Sequence, residues 1–174
     1  MTAAVSTTAA VGTTAVTAGL DEIAAVLPHR HPMLLVDRVL ELVAGESVTA
    51  VKAVTATEPW FRGTDPTDPA ATEYPPVLLV ESWCQAASLL AAWPRRGWAE
   101  LAGLVALFGG MSELRFGPPV RPGDVVVHSA RIVRDLGDTW IFEGGSQVGD
   151  CVVLEVGNAM TALRPAGVLR GEAS

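Results

Sequence analysis

Val77-Leu78-Leu79-Val80-Glu81-Ser82-Trp83-Cys84-Gln85-Ala86-Ala87-Ser88-Leu89-Leu90-Ala91-Ala92-Trp93 is the stretch on which the fold turns. It is apolar on nearly all sides, so as a helix it is expected to be buried all round. Pro76 suits its first turn, where a missing N–H does no harm, and Pro94 ends it. The run is too short for a membrane span, and Glu81 and Gln85 make it too polar.

Strand-like stretches lie on both sides of this helix. Downstream are Val105–Phe116, Asp124–Val133, Thr139–Val148 and Cys151–Leu163. The last three follow the tight turns Pro122-Gly123, Gly137-Asp138 and Gly149-Asp150, which predicts an antiparallel meander. Upstream, Asp21–Val26 reads as a short helix, and Met33–Leu42 and Ser47–Val54 read as strands. Between Glu58 and Pro76 stand Pro59, Gly63, Pro66, Pro69 and Pro75, a density that makes a long loop. The order is strands, one buried helix, then more strands. That is an α+β class in which an antiparallel sheet curls around a long central helix. Residues 1–19 are almost entirely Thr, Ala, Val, Ser and Gly, which predicts a disordered low-complexity tail. The folded domain is expected over 20–166, with 167–174 a loose C-terminus.

The chain has 174 residues, 49% hydrophobic and 18% charged, enough for one domain with a sizeable core. Its net charge of -7 makes nucleic acid an unfavourable partner. Cys84 and Cys151 are too far apart in sequence for a disulfide framework or a metal motif. They read as two buried thiols in a reducing compartment, so the protein is expected to be cytoplasmic, with no membrane partner, metal or cofactor.

Four segments carry a family resemblance. They are Leu27-Pro28-His29-Arg30-His31-Pro32-Met33-Leu34-Leu35-Val36-Asp37-Arg38-Val39, Glu58-Pro59-Trp60-Phe61-Arg62-Gly63, the helix from Val77 to Ala87, and Phe116-Gly117-Pro118-Pro119-Val120-Arg121-Pro122-Gly123-Asp124. In this order they resemble the 3-hydroxyacyl-ACP dehydratases of the FabZ type, which have the hotdog fold. The resemblance implies elimination of water from a 3-hydroxyacyl chain held on acyl carrier protein. It also implies a dimer whose sites draw a histidine from one subunit and a Glu or Asp from the other. The histidine removes the proton next to the thioester, and the acid helps the hydroxyl leave. A backbone N–H at the start of the helix polarises the thioester carbonyl.

Glu81 falls at the acid's position. The family histidine follows the loop glycine directly, but here Gly63 is followed by Thr64, which has no group that titrates near neutral pH. The glycine that donates to the carbonyl lies five residues before the acid, and Pro76, with no N–H, stands there. The loop is also longer than the family pattern. Phe61, Gly63, Val77, Trp83, Gln85 and His31 fall where the family binds its substrate. Core packing competes with that role for Trp60, Phe61, Trp83 and Trp93.

Other groups can be weighed as a replacement base. His29 and His31 lie in a turn and read as loop residues, and His128 reads as a solvent-facing strand residue. Asp65, Asp68, Glu73 and Tyr74 lie in the long loop, and a carboxylate base there needs a raised pKa. Three functions remain open at this point. The chain is a catalytically incomplete subunit lending Glu81 to a composite site with a complete dehydratase chain, an active homodimer with a rearranged base, or a non-catalytic acyl-ACP binding protein.

Overall fold

The computed structural model describes residues 14–95, 104–165 and 167. The elements in chain order are β1 (Val16–Ala18), α1 (Leu20–Val26), β2 (Arg38–Val43), β3 (Ser47–Ala53), α2 (Pro76–Ala92), β4 (Leu104–Phe116), β5 (Val125–Asp135), β6 (Thr139–Val148) and β7 (Cys151–Pro165). All seven strands join one antiparallel sheet in the order β1-β2-β3-β5-β6-β7-β4. The architecture is the expected α+β one, a curled sheet with one long helix against it.

α2 packs mainly on β5 and β3. Leu79, Trp83, Ala86, Leu89 and Leu90 point into the core. Burying a side chain the size of Leu or Trp is worth roughly 1.5–3 kcal/mol each, so this face holds the helix in place. The sheet bends where it receives the helix. The Trp83 indole N–H donates to the Ser129 carbonyl at 2.9 Å. A Cβ at Gly144 on the neighbouring strand would lie 2.1 Å from that same carbonyl oxygen. Only glycine lets β6 approach β5 that closely, and the β6–β7 register shifts between Phe142 and Gly144.

Several sequence expectations need correction. α2 is not buried all round in the single chain: Val77, Val80, Glu81, Cys84 and Ser88 form a partly exposed stripe along one face. Their spacing of three to four residues puts them on one side of a 3.6-residue turn. The stretch from Met33 is not a strand until Arg38, because the Leu35 N–H and the Met33 carbonyl bond the Gln85 side chain, not a neighbouring strand. The expected tail 1–19 lies largely outside the described residues, but its end is ordered. Val16–Ala18 pairs with β2, and Ala18 is buried. Most of 167–174 also lies outside the described residues.

His128 is fully buried, not solvent-facing. Val126, His128 and Ala130 share the inward side of β5, as strand periodicity requires. A buried imidazole must be hydrogen-bonded, and this one is: Ser82 lies 2.9 Å from Nε2 and Ser146 2.8 Å from Nδ1. The Ser82 hydroxyl donates to the Leu79 carbonyl at 3.1 Å, so Nε2 carries the ring proton and Nδ1 accepts from Ser146. Cys151 is exposed and Cys84 only partly buried, so the two thiols do not share a core environment. Among the described residues, no helix is long and apolar enough to cross a membrane.

Candidate active site

Glu81 lies on the second turn of α2, on the partly exposed stripe. Its cavity has a volume of about 570 Å³ and lies between that stripe and the start of β4. Pro28 and His29 close one side, and Leu104 and Phe108 the other. β4 is the edge of the sheet, so this wall has β7 behind it and no strand in front. The lining is largely apolar with a few convergent polar groups, the usual character of a small-ligand site.

The polar groups meet at one carboxylate oxygen. The Gln85 amide, one turn along the helix, donates to Glu81 Oε1 at 2.9 Å. His29 Nε2 lies 3.4 Å from the same oxygen. These contacts meet the requirement that a carboxylate on an apolar helix find partners. Gln85 is itself nearly fully buried and held by Met33 and Leu35, so it is a fixed support. Cys84 also lines the cavity. Burial, and then the charge of Glu81, push its thiol up to about 12, which leaves it protonated and unreactive.

The other residues singled out from sequence are dispersed. Val77 and Gln85 line the Glu81 cavity. Trp83 is fully buried and turned to Ser129, away from that cavity. Phe61 packs in the core beside Tyr74, with ring centroids 6.4 Å apart. Gly63 is exposed at a φ of 78°. The Thr64 hydroxyl donates to the Phe61 carbonyl at 2.8 Å, within its own loop. Pro76 borders a smaller cleft of about 230 Å³ with Tyr74, Leu79 and Phe116. His31 is exposed and borders a third cleft with Asp37, Lys52 and Trp60. Trp60 and Trp93 are partly buried and pack against the core.

The loop offers no good base at Asp65. The Thr67 hydroxyl and then the Thr67 N–H bond its carboxylate and hold it below the usual range, the opposite of what a base needs. Among the described residues, no three His, Cys, Asp or Glu side chains could hold a metal.

A model of the FabA-like domain family matches residues 27–157, most of the chain. The chain belongs to the FabA-like family. Within this family it is similar to 3-hydroxyacyl-[acyl-carrier-protein] dehydratases named FabZ. The one from Thiobacillus denitrificans is 39% identical over 145 residues, covering 83% of this chain and 97% of the relative. The one from Paracidovorax citrulli is 41% identical over 136 residues, covering 78% and 90%. The fold also matches solved hotdog structures. The dehydratase heterocomplex ApeI:P from Xenorhabdus doucetiae superposes with a TM-score of 0.67 at 18% identity, covering 86% of this chain and 95% of that one. Glu81 therefore stands on the central helix of a FabA-like hotdog chain similar to FabZ dehydratases.

His29 was the residue underrated in the sequence. The turn was visible, but its approach to Glu81 joins positions 52 apart in a chain that folds β2 and β3 between them. Cys84 and Ser88 could have been found by counting three and seven residues on from Glu81 along the helix.

Proposed function

We propose that this chain is the acid-lending subunit of a two-chain 3-hydroxyacyl-ACP dehydratase. It acts on acyl or polyketide chains carried by acyl carrier protein in the cytoplasm. A partner chain with an intact loop supplies the base and the carbonyl donor, and Glu81 completes that one site across the interface. Dehydration then needs a base at C2, an acid at the C3 hydroxyl and a donor at the thioester oxygen. This chain brings the second.

The observation that carries this reading is the contrast between Glu81 and Thr64. Glu81 stands in an open cavity with two supporting side chains. The hydroxyl at the position of the lost base is occupied by its own loop's carbonyl. Pro76, at the donor position, has no N–H to give. Losing that donor alone costs roughly 10²–10³ in rate. The ApeI:P structure offers a precedent for this fold in a dehydratase heterocomplex.

The test is a mixing assay. The chain is combined with a FabZ-type dehydratase whose own helix glutamate is replaced by Gln, and 3-hydroxyacyl-ACP turnover is followed. Turnover in the mixture that disappears with Glu81→Ala is the expected result. Equal turnover with Glu81→Ala, or none in the mixture, removes the composite site. Turnover by the chain alone points instead to a self-sufficient homodimer.

A further inference from the structure

The geometry points to His29 as a positioning residue for Glu81: with Gln85 it claims Oε1 and leaves Oε2 to carry the acid's proton. This rests on the reading of Glu81 as the site's acid and adds a residue to it.

Two facts fix the role. Gln85 Nε2 and His29 Nε2 both address Oε1, at 2.9 and 3.4 Å. An oxygen that accepts the Gln85 N–H and faces the His29 ring nitrogen is an acceptor, so a protonated Glu81 carries its hydrogen on the other oxygen. Then there is the far side of the ring. His29 Nδ1 is buried with no hydrogen-bond partner among the described residues. The ring needs one proton, at Nε2, to serve Glu81, and Nδ1 is then the bare nitrogen. That bare nitrogen is buried out of reach of the cavity, so His29 is not placed to take a proton from the substrate.

Among the described residues lining the cavity, no other charged side chain competes for the carboxylate. β4 and β7 bring Leu104, Val105, Ala106, Phe108 and Thr161 to the cavity, none of them ionisable. Cys84 is held protonated chiefly by its burial. Arg30, next in sequence to His29, turns its guanidinium back onto the Leu27 and His29 carbonyls.

In the reaction the base takes the C2 proton, and that electron pair becomes the C2=C3 double bond. The C3–O bond breaks, and Oε2–H gives its proton to the departing hydroxyl, which leaves as water. The carboxylate that remains is stabilised by the two donors at Oε1 and regains a proton from solvent, while the base releases the C2 proton. His29 therefore acts at the moment negative charge appears on Glu81.

The experiment compares Glu81→Ala, His29→Ala and His29→Gln, each in the full chain, alone and in the mixture described above. His29→Gln keeps a neutral N–H donor at about the reach of Nε2. His29 lies in a half-exposed loop, and circular dichroism confirms folding of each variant. If the inference holds, Glu81→Ala abolishes turnover and His29→Ala lowers kcat about 10²-fold with KM unchanged. His29→Gln then recovers most of that loss. If Glu81→Ala abolishes turnover but His29→Ala matches the wild type, or His29→Gln is as impaired as His29→Ala, the positioning role is wrong and Glu81 keeps its own. If Glu81→Ala is harmless, or neither arm turns over, both readings fall.

Discussion

Gln85 joins Glu81 to the chain segment that enters the first long strand. Its Nε2 donates to Glu81 Oε1 at 2.9 Å and to the Met33 carbonyl at 2.7 Å, while its Oε1 accepts the Leu35 N–H at 2.9 Å. One amide thus anchors Met33–Leu35 to α2 and holds the acid in the same act. The His29 loop, four residues before Met33, is positioned by the same tie.

Replacing Gln85 by Leu keeps the volume and removes all three bonds. The buried Leu35 N–H and the Met33 carbonyl lose their partner, which costs on the order of 3 kcal/mol in total. Urea unfolding followed by tryptophan fluorescence measures it as a lower midpoint at unchanged slope. A change within about 0.5 kcal/mol, the size of an ordinary surface substitution, contradicts the anchoring role.

His128 predicts an acid-sensitive core. Burial, and then the charge of Lys52, hold its pKa down to about 3 from an ordinary 6.5. The folded value lies below the unfolded one, so the stability linked to this group is complete above pH 6.5. It is lost as pH falls from 6.5 toward 3, at up to about 1.4 kcal/mol per pH unit. Unfolding free energies at pH 7.5 and 4.5 should differ more for the wild type than for His128→Gln, which cannot titrate. An equal difference in both proteins means another group sets the acid limb.

The two cysteines should separate cleanly under a thiol reagent. Cys151 is exposed at the start of β7, whereas the Cys84 thiol is raised to about 12 by burial and the nearby Glu81 charge. At pH 8 an aromatic disulfide reagent titrates one thiol per chain quickly and the second only on unfolding. Cys151→Ser should abolish the fast phase. Two fast thiols in the native protein contradict the protected setting of Cys84.

What the sequence revealed and what it hid divide along physical lines. α2 was legible because seventeen residues without a sustained polar face, bounded by Pro76 and Pro94, admit few other structures. The β5–β6–β7 meander was legible because Gly137-Asp138 and Gly149-Asp150 are strong turn signals. β1 was hidden because Val16–Ala18 joins the sheet by backbone pairing, which a Thr- and Ala-rich composition does not announce. His128 was misread because its polarity outweighed its place in the Val126–Ala130 alternation, and because Ser82 and Ser146 lie 46 and 18 residues away. At the site, Glu81, Val77 and Gln85 were found through the resemblance of the Val77–Ala87 helix to the family's central helix. The separation of Thr64 and Pro76 from that cavity depends on how the long loop folds, and no local pattern encodes it.

Restoring the absent half-site is the sharpest test of why this chain is proposed to need a partner. On the proposed reading two elements are altered together, so a single reversion should fail. Thr64→His supplies an imidazole, worth about 10²–10⁴ as a general base, but leaves Pro76 without an N–H. Pro76→Gly supplies the N–H at the start of α2, worth about 10²–10³, but leaves no base. Pro76→Gly also loosens the first turn of the helix, at a cost of about 1 kcal/mol. The double variant Thr64→His/Pro76→Gly, assayed alone on 3-hydroxyacyl-ACP, should exceed either single variant by at least about 10²-fold. Its activity should vanish when Glu81→Ala is added, because the restored half is useful only opposite that acid. A Thr64→His variant as fast as the double would show that the Pro76 position does not carry the donor. A double variant no faster than the wild type would place the block in the conformation of the long loop between Gly63 and Pro76, where the Thr64 hydroxyl is tied to Phe61.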